Sequence, residues 1–151
     1  MATYITQADI ENKFGTNNVQ KWSQLDEESE DVDAARITAA IAYGCEVVEN
    51  MMRDGRYAVP FLGSCVELKD WCATFAGIWL FMSRGTGAPA TADDAQRFNG
   101  MALRAEQDIK SAMTGGKKLP LAMAHPTASV PTLVPAAPGS TYFQGGPSWR
   151  P

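Results

Sequence analysis

The stretch "CVELKDWCATFAGIWLFMSR", from Cys65 to Arg84, decides the fold because apolar side chains would cover almost the whole circumference of a helix formed by it. One stripe at near-helical spacing contains Leu68, Trp71, Cys72, Phe75, Trp79 and Met82. Ile78, Leu80 and Phe81 cover much of the remaining surface. A helix that is apolar nearly all round is buried in its own protein or shared between subunits. We therefore expect this helix to lie at the centre of a helical bundle.

Two short helices are predicted near the N-terminus. Thr6 is a good N-cap, Asp9 stands at the capping-box position three residues later, and Gly15 is a natural C-terminal stop. A second short helix is expected to follow directly, with Asn17 or Asn18 as its N-cap.

Two longer helices complete the pattern. The first runs from about residue 32 to residue 53, with Ser29 or Asp31 as its N-cap and acidic residues that favour the N-terminal end of the helix dipole. The second starts at Thr91, which has Asp94 at its capping-box position, and ends at about residue 113. The sequence therefore predicts an all-α fold, a small bundle of about four to five helices.

The composition changes after the last helix and divides the chain into two regions. Residues 1–113 form the predicted helical body, and residues 114–151, which we call the arm, are rich in proline and glycine and contain no acidic residue. Such a segment is expected to be extended and to have no core of its own. The arm ends in "STYFQGGPSWRP", where aromatic residues are unusual for a segment that stays in water. Its predicted partner-binding residues are Tyr142, Phe143, Trp149 and Arg150.

The linker "GRYAVPF" is predicted to be a fixed crossover between two helices. Its expected structural residues are Gly55, Arg56, Tyr57 and Pro60. Gly55 is expected to adopt a backbone conformation that strains any residue with a Cβ. Arg56 is expected to pair with an acidic helix of the same or an adjacent subunit, although exposed ion pairs contribute little stability.

Charge and length restrict the classes of function. The only charged residues after Thr114 are Lys117, Lys118 and Arg150, so the arm has a net charge of +3. Because the whole chain has a net charge of −4, the body has a net charge of −7. An acidic body argues against a protein that reads DNA sequence, which needs a basic face. The longest apolar run is too short to span a bilayer, and no secretory signal precedes it. We expect a soluble protein made in the cytoplasm.

Residues with catalytic or metal-binding chemistry are few. Cys45, Cys65 and Cys72 make an odd count and neighbour apolar residues, which favours buried core thiols over a disulfide framework. His125, the single histidine, lies in the arm, far in sequence from every cysteine. No zinc-type spacing and no phosphate-binding loop is present. We expect an interaction protein with no cofactor, no metal and no enzymatic activity.

The order of these motifs resembles the phage Mu-type family of head-completion, or head-to-tail connector, proteins. The N-terminal match consists of Tyr4, Thr6, Gln7 and Asp9, followed by Phe14 and Gly15. The second match is the turn formed by Gly55, Arg56, Tyr57 and Pro60. The resemblance covers roughly residues 2–113. It does not extend to the arm, and the run "DEESED" lacks the glycine that the family often has there, so no ion binding is implied.

The resemblance implies a helical adaptor of the virion, located at the head–tail junction. It implies a homo-oligomeric ring, twelve-fold, that lies beneath the portal protein, extends the DNA channel and docks tail or neck proteins. Members of the family are not enzymes. The partners implied are the portal, tail or neck proteins, further copies of the chain and, without base recognition, the DNA in the channel.

Two other functions remain open at this point. The first is a small helical phage-encoded module that regulates or binds a host protein, and its oligomeric state in solution would separate it from a ring-forming connector. The second is a cysteine-dependent enzyme, which would require an activity that is lost on substitution of Cys45, Cys65 or Cys72.

Overall fold

Five α-helices make up most of the described chain. The computed structural model describes residues 2–24, 32–84 and 91–124. The helices are α1 (Gln7–Phe14), α2 (Thr16–Ser23), α3 (Ala34–Met52), α4 (Val66–Ser83) and α5 (Ala92–Thr114). Within these ranges there is no strand beyond one isolated bridge, so the predicted all-α class is confirmed. No helix in the described ranges has the length and apolar character needed to cross a membrane.

The predicted caps fix both ends of α1 and the start of α5. Thr6 and Asp9 form the expected capping box of α1, and Gly15 ends the helix with a φ of 89°. Thr91 caps α5 by accepting the Asp94 N–H at 3.1 Å. Gly115 ends α5 in the left-handed region, with a φ of 90°, which a glycine adopts without the steric cost of a Cβ.

The caps of α2 and α3 differ from the prediction. Gly15 is the N-cap of α2, and Asn18 instead donates to the Phe14 carbonyl at 2.7 Å. α3 is capped by Asp33, which accepts the N–H groups of Ala35 and Arg36, whereas the predicted caps Ser29 and Asp31 lie outside the described residues. Any Asn, Ser or Asp in a polar run is a plausible cap by type, and the tertiary position of the helix decides which one is used.

α4 lies at the centre of the bundle and contacts each of the other helices. Its closest neighbour is α3, because Gly44 lets the two backbones approach. A Cβ at Gly44 would lie 2.4 Å from the Cys72 carbonyl oxygen and 2.9 Å from the Ala76 nitrogen. Gly77 makes room for the Phe14 ring of α1 in the same way, because a Cβ at Gly77 would lie 2.1 Å from that ring. The central position predicted for this helix is confirmed.

The apolar surface of α4 is covered unevenly along its length. Trp71 and Phe75 are buried, with 1% and 8% of their surface exposed. Trp79 is only partly buried, and Met82 is 72% exposed. The predicted stripe therefore belongs to the core over its first part and reaches the surface in its last turn.

Candidate docking region at the base of the arm

The first part of the arm lies against the crossover that joins α3 to α4. The Ala58 N–H donates to the Ala122 carbonyl at 2.9 Å, and the Ala124 N–H donates to the Arg56 carbonyl at 2.9 Å. Tyr57 and Met123 thus form an antiparallel bridge. We call residues 117–124 the base of the arm. The two segments make a short ribbon, so the base of the arm is held at a fixed place on the body.

Tyr57 holds this ribbon to the body. Its side chain is 2% exposed, and its hydroxyl accepts the Leu119 N–H at 2.8 Å while facing the Lys117 carbonyl at 3.5 Å. Leu119 is itself buried, with 7% of its surface exposed. Lys117 lies over the Trp71 ring, 5.5 Å from its centroid, and pairs with Asp108 at 3.5 Å. Tyr57, one of the predicted structural residues of the crossover, therefore also holds the base of the arm.

Gly55 and Arg56 occupy this region for reasons other than those predicted. Gly55 does not have a positive φ, so the expected backbone strain is wrong. It is a packing position, because a Cβ there would lie 2.9 Å from Met113 Cγ and 3.1 Å from the Met52 carbonyl oxygen. Within the described residues Arg56 makes no ion pair. Its guanidinium lies beside Gly115, where a Cβ would come within 2.2 Å of Nη1, and 5.9 Å from the Tyr57 ring centroid.

A second tyrosine fixes the other end of the crossover. The Tyr4 hydroxyl accepts the Phe61 N–H at 3.0 Å and donates to the Glu49 carboxylate. The Tyr4 and Phe61 rings meet edge to face, with centroids 5.4 Å apart. Burial of the hydroxyl, and then its hydrogen bond to Glu49, raise the pKa of Tyr4 well above the usual value. Pro60, the remaining predicted turn residue, is exposed between these two anchors and follows a cis peptide bond.

The three cysteines lie in the core, as the sequence predicts for structural thiols. All are free and buried. The Cys72 thiol donates to the Cys45 sulfur, which also accepts backbone N–H groups of Tyr4 and Ile5, and these bonds lower the pKa of Cys45 against the opposing effect of burial. No cluster of three or more potential metal ligands occurs among the residues that the structure describes.

Exposed apolar side chains in the described chain occur at both ends of α4. Leu62 and Val66, at its N-terminal end, are 90% and 81% exposed. Met82, at its C-terminal end, is 72% exposed. The ring centroids of Tyr43 on α3 and Trp79 on α4 are 6.1 Å apart. α4 spans about 27 Å at 1.5 Å per residue. The body thus presents apolar groups at two well-separated places.

The predicted partner-binding residues of the arm, Tyr142, Phe143, Trp149 and Arg150, lie outside the described residues, as does His125. The base of the arm and the Tyr4 network were not predicted. Tyr4 was identified only as part of a family motif, and residues 117–124 look like any other proline-containing segment. Hydrogen bonds between groups 45 to 62 residues apart leave no local pattern in a sequence.

The described residues define a class: a small helical body that holds residues 117–124, the first part of a proline-rich C-terminal segment, against the crossover before α4. The comparison with known families confirms the phage Mu-type part of the predicted resemblance. The chain matches the family described as Bacteriophage Mu, Gp36 over residues 4–99, and it belongs to that family of phage proteins. Searches of the curated proteins and of the solved structures found no match.

Proposed function

We propose that this protein is a structural, non-catalytic head-to-tail connector of a tailed phage. In this proposal it forms a ring, twelve-fold, beneath the portal protein, extends the DNA channel and docks tail or neck proteins at the head–tail junction of the virion. The observation that carries the proposal is membership of the phage Mu Gp36 family, because the match spans the helical body from residue 4 to residue 99.

The exposed apolar groups of the body support self-assembly. Leu62 and Val66 lie at one end of α4 and Met82 at the other. When two different surfaces of a molecule bind each other, the contact is heterologous, and repeated heterologous contacts close into a ring if the rotation between subunits allows it. Separate apolar surfaces at the two ends suit such a contact better than a two-fold dimer, which uses one surface twice.

The anchored base supports the role of the arm. Because the ribbon with Arg56 and Ala58 holds residues 122–124, the rest of the arm starts from a defined point. Residues 125–151 reach ~90 Å at most when fully extended. Such an arm can cross from one subunit to a neighbouring virion protein, and we assign the portal as its target. Tyr142, Phe143, Trp149 and Arg150 are the binding residues in this assignment, because aromatic and arginine side chains are enriched among interface hot spots.

The acidic body suits a channel that DNA passes through. A lumen that bound phosphates tightly would hold the DNA back. The body without the arm has a net charge of −7, which does not favour such binding. We therefore assign an electronegative or mixed channel wall without base recognition. Tight, salt-sensitive DNA binding by the full chain would contradict this part of the proposal.

The test of the proposal is reconstitution with the portal protein encoded in the same phage genome. The wild-type chain is expected to form a ring on the portal, visible by electron microscopy and measurable as a complex by light scattering. A triple variant, Tyr142→Ala with Phe143→Ala and Trp149→Ala, should bind more weakly, since the loss of one hot spot costs ~2 kcal/mol, roughly thirtyfold in Kd.

The matched control replaces three neighbouring polar residues instead, as Thr141→Ala, Gln144→Ala and Ser148→Ala. Wild-type affinity is expected for this control, because it retains every aromatic anchor. Equal binding by the two triple variants and the wild type would show that the aromatic residues are incidental. A chain that binds no portal at all, but captures a host regulatory protein, would overturn the connector function itself.

A further inference from the structure

An aromatic ledge on the outer side of α3 and α4 is not used by the proposed portal contact. We define the ledge as Tyr43 and Trp79. Tyr43 is 43% exposed and Trp79 is partly buried. The rings of Tyr43 and Trp79 lie 6.1 Å apart, with 33° between their planes. The two rings therefore form an open apolar surface that is nearly continuous.

Hydrogen-bond donors surround the ledge. Arg36 lies with its guanidinium 5.7 Å from the Trp79 ring centroid and donates to Ser83 Oγ at 2.9 Å. Its Nε is buried and has no hydrogen-bond partner among the residues that the structure describes. Among the described residues, no hydrogen bond is made by the Tyr43 hydroxyl or the Trp79 indole N–H. The ledge thus combines aromatic faces with two donors, the Tyr43 hydroxyl and the Trp79 indole N–H, that have no acceptor among the described residues.

This combination fits a polyproline II segment. Such a helix has no internal hydrogen bonds, so its carbonyl groups are free to accept, and its proline rings pack on aromatic side chains. Proline-rich segments with the spacing PxxP are recognised in this way in aromatic-lined grooves. The arm contains this spacing once, as "PAAP" from Pro135 to Pro138.

The place where the described chain ends favours an intramolecular contact. The Ala124 N–H bonds to the Arg56 carbonyl, and the bridge is antiparallel, so the chain runs back toward the C-terminal end of α3. Tyr43 lies nine residues before that end, about 14 Å along the helix axis. Residues 125–135 reach about 34 Å in a polyproline II conformation. The segment is therefore long enough to reach the ledge of its own subunit.

We propose that the aromatic ledge binds the Pro135–Pro138 segment of the same chain. The tether between Ala124 and Pro135 gives the segment an effective concentration in the millimolar range, at which even a weak polyproline contact is occupied. The contact leaves Tyr142, Phe143 and Trp149 free beyond it. It therefore directs the arm along α3 and positions the terminal aromatic residues, and it does not depend on whether their target is the portal.

The test uses the full chain, labelled with nitrogen-15, and reads the indole N–H signal of Trp79, assigned by its loss in Trp79→Phe. The double variant Pro135→Ala with Pro138→Ala should shift this signal, because the segment leaves the ledge. The matched control, Pro147→Ala with Pro151→Ala, removes the same number of prolines from the arm and should leave the signal unchanged. Identical Trp79 signals in both double variants and the wild type would overturn the proposal.

A reciprocal pair of body variants separates the ledge from general effects. Tyr43→Ala should shift the amide signals of Ala136 and Ala137, whereas Leu103→Ala, at a site on α5 that is 52% exposed, should not.

The Trp79 signal should not change on dilution, and a signal that reverts on dilution would assign the segment to a second copy and contradict the intramolecular contact. Deletion of residues 140–151 should abolish portal binding but leave the Trp79 signal in place, so the two proposals fail separately.

Discussion

The contact between α3 and α4 and the ribbon at the base of the arm both join distant parts of the chain, but different forces hold them. α3 and α4 meet along their lengths through buried apolar side chains and a glycine that lets the backbones touch. The ribbon is held by two backbone hydrogen bonds and by one buried tyrosine hydroxyl. The first contact is packing spread over many residues, and the second is polar and concentrated on Tyr57.

The fold and the position of the arm can therefore be perturbed separately. Removal of packing should lower the stability of the whole bundle, because the body unfolds as one cooperative unit. Removal of a single hydrogen bond at the ribbon should release the arm locally while the helices persist, as expected for the low-stability parts of a structure.

The largest effect is expected from Phe75→Ala in α4. Phe75 is 8% exposed and lies in the core, and truncation of a core aromatic costs ~3–5 kcal/mol. Met82→Ala is the control on the same helix, because Met82 is 72% exposed and its loss should change stability by less than about 0.5 kcal/mol. Chemical denaturation followed by circular dichroism measures both. Equal midpoints for the two variants would show that Phe75 does not lie in the core.

Gly44→Ala should have the next largest effect. The added methyl would meet the Cys72 carbonyl and the Ala76 nitrogen, and neither is a side chain that can rotate away. We expect a loss of about 3 kcal/mol, the upper end for overpacking. Gly100→Ala in α5 is the matched control, because nothing lies within 4 Å of its Cβ position, and it should gain up to about 1 kcal/mol from helix propensity. The structure therefore predicts that Gly44→Ala lowers the free energy of unfolding and that Gly100→Ala raises it.

The sequence predicted the helices but not the tertiary contacts that hold them together. The capping box at Thr6 and the stop at Gly15 are local signals within one turn of helix, and both are confirmed. The apolar stripe of α4 predicted its central position, although periodicity alone did not show that Met82 would be exposed. Gly55 was identified by residue type, but its reason, the close approach of Met113, depends on how α5 packs. Contacts of this kind follow from the tertiary fold and leave no local pattern.

Tyr4→Phe is expected to have a smaller effect than either core variant. It keeps the ring on Phe61 but removes the hydroxyl that accepts the Phe61 N–H and donates to Glu49. Loss of a hydrogen bond to a charged group, with a buried N–H left unpaired, costs ~2 kcal/mol. The free energy of unfolding from urea titration measures this loss. In the double variant with Glu49→Gln the two losses should not add, because both residues belong to one network. Additive losses would contradict the network.

The smallest effect on stability, and the most local one, is expected for Tyr57→Phe. The ring stays buried, and only the hydroxyl that accepts the Leu119 N–H is lost, so the bundle should lose about 1 kcal/mol. The ribbon should respond more strongly, because its two remaining hydrogen bonds are backbone bonds at the edge of the body. Hydrogen exchange at Leu119, Ala58 and Ala124 should therefore accelerate, while amides within α4 keep their protection.

The control for that variant is Tyr43→Phe, which also removes one tyrosine hydroxyl. Tyr43 is 43% exposed, and its hydroxyl has no hydrogen-bond partner among the described residues, so exchange in the ribbon should not change. If Tyr57→Phe left the three ribbon amides as protected as in the wild type, the backbone bonds alone would hold the base of the arm. The division between a packed body and a ribbon fixed by one hydroxyl would then be wrong. If the ribbon opens and the portal affinity falls with it, a fixed exit point is part of how the arm finds its target.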